Sequence, residues 1–131
     1  MLGTDHVGLT VLDLERSKAL FVETLGFRVR GHDEDYPAYF LTNGETTITL
    51  WRATDPGSAV RFDRHRNVGL HHLALAVASF DALDALHERL RGVEGVVIEF
   101  PPELAYGGPA KHMVFREPSG NRIELIHRPS P

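Results

Sequence analysis

The chain has 131 residues, enough for one ordinary domain with a buried core but few for two independent ones. It contains no cysteine, which excludes disulfides and thiolate ligands and leaves histidine, carboxylate and water as possible metal ligands. Its net charge of −4, with scattered basic residues, argues against a nucleic-acid surface. No apolar run is long enough to cross a bilayer and no signal-peptide pattern is visible, so we expect a cytoplasmic protein without membrane partners.

The first half of the chain is predicted to form a strand, a helix and three further strands. Residues 6–11 alternate between large apolar and small or polar side chains, which indicates a half-buried strand. Asp13 is a suitable N-cap for an amphipathic helix that runs to about Leu25 and stops at Gly26. Asn43-Gly44 is typical of a type I′ hairpin turn. The three later strands are predicted at about 27–30, 38–41 and 46–51.

The same order of elements begins again after an aperiodic connector over residues 53–68. A strand at 71–77 is followed by Ser79 as an N-cap and by a helix that stops at Gly92. Residues 101–109 are rich in proline and glycine and are expected to form a flap. The remaining strands are predicted at about 96–100, 111–116 and 122–127.

The two halves can be superimposed as one repeated unit. His72 falls on His6 at an offset of 66 residues, and Glu124 falls on Thr49 at an offset of 75, with longer loops in the second half explaining the difference. The sequence therefore predicts an α+β fold, two β-α-β-β-β modules within a single domain over 1–131. Module one covers about 4–52 and module two about 69–128.

Three side chains on the polar face of this repeat form a candidate metal site. Strand alternation places His6 and His72 on the face that carries small residues, whereas His71 is expected to face the opposite way. The same alternation puts Glu124 on that face, between two apolar residues that point toward the helices. A carboxylate there is costly to bury unpaired, and two imidazoles with a cation would remove that cost. The set corresponds to a facial triad with open coordination positions.

The chain resembles the vicinal oxygen chelate superfamily, which includes glyoxalase I, extradiol dioxygenases, fosfomycin-resistance transferases, methylmalonyl-CoA epimerase and bleomycin-binding proteins. The matching stretches are Asp5-His6-Val7-Gly8-Leu9-Thr10-Val11, Asp13-Leu14-Glu15-Arg16-Ser17, Leu25-Gly26-Phe27, His71-His72-Leu73-Ala74-Leu75-Ala76-Val77 and Glu117-Pro118-Ser119-Gly120-Asn121-Arg122-Ile123-Glu124-Leu125. The resemblance implies a cupped mixed sheet with helices outside, usually in a homodimer. It also implies a divalent metal, Fe, Mn, Ni or Zn, held by His6, His72 and Glu124.

Departures from the subfamily patterns reduce the number of activities that the chain could have. Glyoxalase I and the epimerase carry a fourth ligand where this chain has Thr49, and threonine is a poor ligand and no base. The dioxygenases carry a tyrosine where Val114 stands, so Tyr106 and His112 are the remaining catalytic candidates. Fosfomycin transferases carry a threonine at Gly8 and a tyrosine at Val114, which argues against phosphonate recognition.

Four further residues are expected to line the substrate cavity. Thr49 is interpreted as a small lining residue and Trp51 as a wall or core aromatic, while Thr10 shares their face. Arg122 is expected either to meet a substrate anion or to be a solvated charge at the strand end.

The expected function is a metal-dependent enzyme that chelates a small molecule through vicinal oxygens. The predicted site residues are compatible with two classes of enzyme. One is a glyoxalase-like lyase or isomerase, and the other is an extradiol-type dioxygenase. The alternative is a protein that sequesters an aromatic or peptide antibiotic with Trp51, Phe40 and Tyr106, and a third possibility is an inactive interaction module. Metal binding would distinguish the enzyme from the binding protein and from the inactive interaction module.

Overall fold

The computed structural model describes all 131 residues and divides them into two compact units, Met1–Val60 and Arg61–Pro131. We refer to them as the first and second unit. The helices all fall short of the length and apolar character that a membrane crossing requires.

The first unit is a four-stranded mixed sheet covered by one helix. The strands lie in the order β1-β4-β3-β2, with β1 parallel to β4 and the other pairs antiparallel. Helix α1 begins after Asp13, whose carboxylate accepts a hydrogen bond from the backbone N–H of Arg16 at 3.0 Å, which confirms the predicted cap. A π-helical turn at Leu20–Thr24 extends the helix. The element bounds are β1 Val7–Val11, α1 Leu14–Ala19, β2 Arg28–Asp33, β3 Ala38–Thr42 and β4 Thr47–Arg52.

The second unit repeats this arrangement. Its strands lie in the order β5-β8-β7-β6, again with one parallel pair at the same place. Ser79 caps helix α2 by accepting a hydrogen bond from the backbone N–H of Ala82 at 3.0 Å, as predicted. The element bounds are β5 Leu73–Ala76, α2 Phe80–Leu90, β6 Val97–Leu104, β7 Lys111–Arg116 and β8 Arg122–His127.

The strand registers confirm the repeat predicted from sequence. Gly8 pairs with Thr49 across the parallel pair of the first unit, and Ala74 pairs with Glu124 across that of the second. The two pairs keep the offsets of 66 and 75 residues that the sequence overlay requires. The α+β class and the two β-α-β-β-β modules are therefore confirmed.

Alternation along β4 and β8 separates core from cavity in each unit. Ile48 and Leu50 are fully buried, and Ile123 and Leu125 are buried at the corresponding positions. The intervening side chains line cavities on the opposite face of each sheet: Thr47, Thr49 and Trp51 in the first unit, and Arg122, Glu124 and Ile126 in the second. Period-two alternation therefore places the polar residues where the sequence predicted them.

Two local predictions are wrong. The β3–β4 hairpin does not use a type I′ turn, because Gly44 has a positive φ and Asn43 does not. Instead, the Asn43 side chain accepts hydrogen bonds from the backbone N–H groups of Glu45 and Thr46 and builds a four-residue loop.

The flap was predicted to begin at Pro101, which is too early, because β6 continues through Pro101 and Pro102 to Leu104. Strand β6 is at the sheet edge, where a missing backbone donor is tolerated.

Candidate metal centre and substrate cavity

A cavity of about 870 Å³ lies on the polar face of the second unit's sheet. Its floor is formed by β7 and β8, and Glu124 stands near the middle of β8 with its side chain only 13% exposed. His72 reaches the cavity from the segment just before β5, and His112 from β7. This concave surface brings two histidines and a carboxylate together, and so it is the candidate site.

Glu124 is held between two histidines. His112 Nδ1 lies 2.8 Å from Glu124 Oε1, and His72 Nε2 lies 3.0 Å from Glu124 Oε2. A carboxylate can only accept, so His112 Nδ1 carries the proton in the first contact. The remaining nitrogen of His112 lies 3.9 Å from the Glu103 carboxylate at the cavity wall.

The donor role of His72 Nδ1 follows from its contact with His71. Arg122 Nη1 lies 3.2 Å from His71 Nδ1, and because a guanidinium has only donors, His71 Nδ1 must be an acceptor. The 2.8 Å contact between His71 Nδ1 and His72 Nδ1 is then donated by His72. Partial burial, followed by the Arg122 charge, lowers the pKa of His71, which favours the neutral ring.

This chain of contacts shows how a metal would fit. With its proton on Nδ1, a neutral His72 turns the Nε2 lone pair toward the Glu124 carboxylate, and two acceptors 3.0 Å apart require a proton or cation between them. His72 and Glu124 would therefore be the residues that hold a divalent cation, and the cation would supply the positive charge that two facing acceptors lack. No set of three or more carboxylate and imidazole side chains stands together as a complete metal site.

His71 does not face away from the cavity, contrary to the sequence expectation. It lines the same cavity as His72 because β5 begins only at Leu73, so neither histidine obeys the alternation of a paired strand. His71 is also the cavity residue that sequence reasoning missed. The one available signal was its proximity to a predicted strand boundary, where alternation loses its force.

Arg122 is neither solvated nor free to bind a substrate on its own. Its side chain is 8% exposed, and it donates to both carboxylate oxygens of Glu99 at distances from 2.8 to 3.1 Å. This hydrogen bonding, ahead of the charges of Arg64 and Arg116, lowers the pKa of Glu99. The interpretation of Arg122 as a solvated strand-end charge was wrong, because the sequence does not show that a bulge in β6 turns Glu99 toward it.

The first unit carries its own, smaller cavity of about 340 Å³. His6 lines it together with Thr49 and Trp51, and His6 Nδ1 lies 2.6 Å from Asp5 Oδ1. That hydrogen bond lowers the pKa of Asp5. Trp51 Nε1 donates to Thr49 Oγ1 at 2.8 Å, so the threonine hydroxyl is engaged by the neighbouring indole.

Of two further expected site residues, one lies outside its unit's cavity and the other lies at a cavity rim. Thr10 is exposed on β1, opposite Trp51 in the strand register, and does not line the first unit's cavity. Tyr106 is fully exposed at the rim of the second unit's cavity, in the left-handed region at φ 51°. Of the two catalytic candidates, His112 contacts Glu124, and Tyr106 stands at the cavity mouth.

Sequence comparison agrees with the fold. The profile of the Glyoxalase/Bleomycin resistance protein/Dioxygenase superfamily matches residues 3–125. The chain is 37% identical over 103 residues to the uncharacterized protein YwkD of Bacillus subtilis, covering 74% of this chain and 77% of that protein. It is also 30% identical to the 2-epi-5-epi-valiolone epimerase of Actinomyces sp, covering 98% of this chain and 81% of the epimerase.

Solved structures share the same fold. The glyoxylase/bleomycin resistance protein/dioxygenase domain from Frankia sp. EAN1pec superimposes with a TM-score of 0.80 at 27% identity, over 99% of this chain and 94% of that one. A variant of the fosfomycin resistance protein FosX from Listeria monocytogenes, solved with Mn(II) and 1S,2S-dihydroxypropylphosphonic acid, gives 0.77 at 19% identity, over 98% and 94%.

The repeated modules and the histidine–carboxylate cavity define a protein of the vicinal oxygen chelate class. The chain belongs to the Glyoxalase/Bleomycin resistance protein/Dioxygenase superfamily.

Proposed function

We propose that this protein is a divalent-metal-dependent epimerase or isomerase that moves a proton beside an oxygen of a small hydroxy-oxo compound. His6, His72 and Glu124 are the proposed ligands, for Fe, Mn, Ni or Zn. The observation that carries the proposal is the 3.0 Å approach of His72 Nε2 to the Glu124 carboxylate, with the His72 proton directed to His71 on the other side. Such an arrangement of acceptors suits a cation.

A bound divalent cation would polarise the substrate oxygens and stabilise the negative charge that develops when a neighbouring C–H loses its proton. His112 is the proposed proton carrier, because its Nδ1 proton is held by Glu124 and its other nitrogen lies on the cavity wall. Phe100 packs 5.0 Å from the His112 ring and shields it from bulk water. Tyr106 at the rim is the second candidate.

The 30% identical epimerase supports this choice over the lyase and the dioxygenase. Epimerisation requires a base and a stabilised anion but no oxidant. A dioxygenase would add molecular oxygen to a catechol-like compound, and its test is oxygen consumption. The two reactions therefore differ in an observable that needs no knowledge of the natural substrate.

The test begins with protein purified without chelator. Elemental analysis should find one of Fe, Mn, Ni or Zn, and the His72→Ala and Glu124→Gln variants should lose it while the control His65→Ala retains it. The loaded protein should then exchange solvent deuterium into the carbon-bound position of small α-hydroxy ketones, followed by NMR, without consuming oxygen. A wild type that binds no metal, or that consumes oxygen with catechols and exchanges nothing, contradicts the proposal.

A binding protein is the second candidate, favoured by the aromatic cluster of the first unit. Trp51 packs edge-on against Tyr36 and Phe40, with ring centroids 4.6 and 5.6 Å apart, beside the smaller cavity. A planar ligand there would change the fluorescence of Trp51, the only tryptophan of the chain. Saturable quenching by an aromatic antibiotic that is unchanged in His72→Ala would select this function.

We also propose that the protein acts as a cytoplasmic homodimer, as its superfamily resemblance implies. Light scattering on purified full-length chain should give twice the 14.6 kDa of one chain. A monomeric mass at micromolar concentration contradicts the dimer without affecting the proposed metal ligands.

A further inference from the structure

A second cavity of about 700 Å³ lies in the second unit and holds three arginines. Arg64 comes from the segment before β5, Arg116 from the end of β7 and Arg122 from the start of β8. All three guanidinium groups approach the same carboxylate, that of Glu99. We call these three residues the arginine cluster.

Glu99 accepts hydrogen bonds from only one member of the arginine cluster. Arg122 donates to both oxygens of Glu99 at distances of 2.8 to 3.1 Å. Arg64 and Arg116 lie at 3.7 and 3.5 Å from Glu99, at ion-pair distance, and neither donates a side-chain hydrogen bond within the unit. Their side chains are 35% and 45% exposed, so each presents unused donors to the cavity.

The cavity is positively charged although the protein as a whole is not. Its only other charged side chain is Asp63, whose carboxylate accepts a hydrogen bond from the backbone N–H of His65. Three guanidiniums therefore face two carboxylates in a chain whose net charge is −4. Apolar side chains complete the lining, and they reduce the competition from water for a bound anion.

The arginine cluster adjoins the candidate metal centre. Phe100 and Arg122 line both cavities of the second unit. Arg122 and Glu124 point to the same face of β8 two residues apart, which corresponds to about 7 Å along a strand. A molecule of a few carbon atoms could therefore reach both places.

We propose that Arg64 and Arg116 bind the anionic group, a carboxylate or a phosphate, of the substrate whose vicinal oxygens lie at Glu124. Guanidinium forks match the paired oxygens of both groups, and a tethered anion would fix the orientation of the reacting carbon. The inference rests on the proposed function for the identity of the ligand as substrate, but anion binding itself does not depend on a metal.

The test measures binding of inorganic phosphate and of acetate to metal-free full-length protein in chelator, by isothermal calorimetry. Phosphate or acetate should bind saturably to the wild type. Arg64→Gln and Arg116→Gln should each weaken the tighter anion about tenfold or more, because a hydrogen bond to a charged group is lost. The anion that binds more tightly identifies whether the substrate carries a phosphate or a carboxylate.

Two controls separate this inference from the proposed function. Arg91→Gln removes an exposed arginine directly after the last residue of α2 that pairs with Glu88, and it should leave anion affinity unchanged. His72→Ala should lose metal and keep anion affinity, so a failed metal site leaves the arginine cluster testable. Absence of saturable binding, or equal weakening in Arg64→Gln, Arg116→Gln and Arg91→Gln, overturns the proposal.

Discussion

At the level of single residues, the neutral ring of His71 is the feature that orients the candidate metal centre. It accepts the Nδ1 proton of His72 and leaves Nε2 of that proposed ligand facing Glu124. We expect His71→Ala to weaken Mn(II) binding about 10- to 100-fold, the usual cost of losing the partner that orients a ligand. Calorimetric titration with Mn(II) measures the change. His65→Ala should bind as the wild type does, and an unchanged affinity in His71→Ala would refute the orienting role.

Gly8 is another residue whose identity follows from its neighbours. A Cβ at this position would lie 3.1 Å from Thr49 Oγ1 and 3.4 Å from Trp51 Nε1, the two atoms of one hydrogen bond. Gly8→Ala should therefore displace that pair and lower the free energy of unfolding by about 1 kcal/mol. Urea denaturation followed by Trp51 fluorescence tests this. Gly57→Ala, whose Cβ would lie 3.7 Å from its nearest neighbour, is the matched control and should be nearly neutral.

Four residues around the cavities show where prediction of side-chain direction from sequence succeeds and where it fails. Alternation places Glu124 and Thr49 correctly because both lie inside paired strands. It misplaces His71, which precedes its strand, and it does not find Glu99, which a bulge turns toward Arg122. Side-chain direction is predictable where the backbone ladder is regular, and unpredictable where the ladder ends or slips.

At the level of elements, helix α2 depends on the cap at Ser79. The hydroxyl accepts one backbone N–H of the first turn, that of Ala82. Ser79→Ala should lower the free energy of unfolding by about 1 kcal/mol, and Ser79→Asp should restore most of it because a carboxylate caps equally well. Thermal unfolding followed by circular dichroism measures both variants. Equal destabilisation by alanine and aspartate would show that packing, and not capping, accounts for the loss.

The strands β6 and β8 are tied together by the Glu99–Arg122 pair. Because Arg122 lowers the pKa of Glu99 in the folded state, this carboxylate stabilises the fold above its unfolded pKa, near 4.5, and the contribution is lost as the pH falls through the lower folded value. Glu99→Gln should therefore be destabilised at pH 7 by about 1 to 3 kcal/mol.

The difference in unfolding free energy between wild type and Glu99→Gln should shrink progressively below about pH 4.5. Urea titrations between pH 7 and pH 3 measure it. Glu88→Gln removes an exposed carboxylate paired with Arg91 and should show little difference at any pH. A Glu99→Gln deficit that stays constant over this range would contradict the ion-pair account.

The presence of each helix and strand was easier to predict from the sequence than the residue at which it ends. The caps at Asp13 and Ser79 and the strands at 111–116 and 122–127 agree with the structure because each depends on local chemistry. The extension of β6 through two prolines depends on its place at the sheet edge, which is a property of strand order. Strand order follows from the repeat as a whole and not from any single segment.

At the level of the whole molecule, the repeated module determines which residues occupy equivalent positions in the two units. One β-α-β-β-β pattern used twice brings His6 and His72 to equivalent positions, and divergence between Thr49 and Glu124 leaves the carboxylate in the second unit alone. At the equivalent position the first unit carries Thr49, whose hydroxyl accepts a hydrogen bond from Trp51. The two units therefore have different chemistry on the same backbone plan.

Metal binding should consequently stabilise the folded chain as a whole. A ligand that binds only the folded state adds about 2.7 kcal/mol to the free energy of unfolding at a free concentration 100 times its Kd. We expect Mn(II) to produce this increase in the wild type and chelator to remove it, measured by urea denaturation with Trp51 fluorescence in the first unit and circular dichroism over both. His72→Ala and His6→Ala should lose the increase, whereas His65→Ala should keep it. Equal stabilisation of all three variants would place the metal elsewhere, because the proposed ligands would then contribute nothing to its affinity.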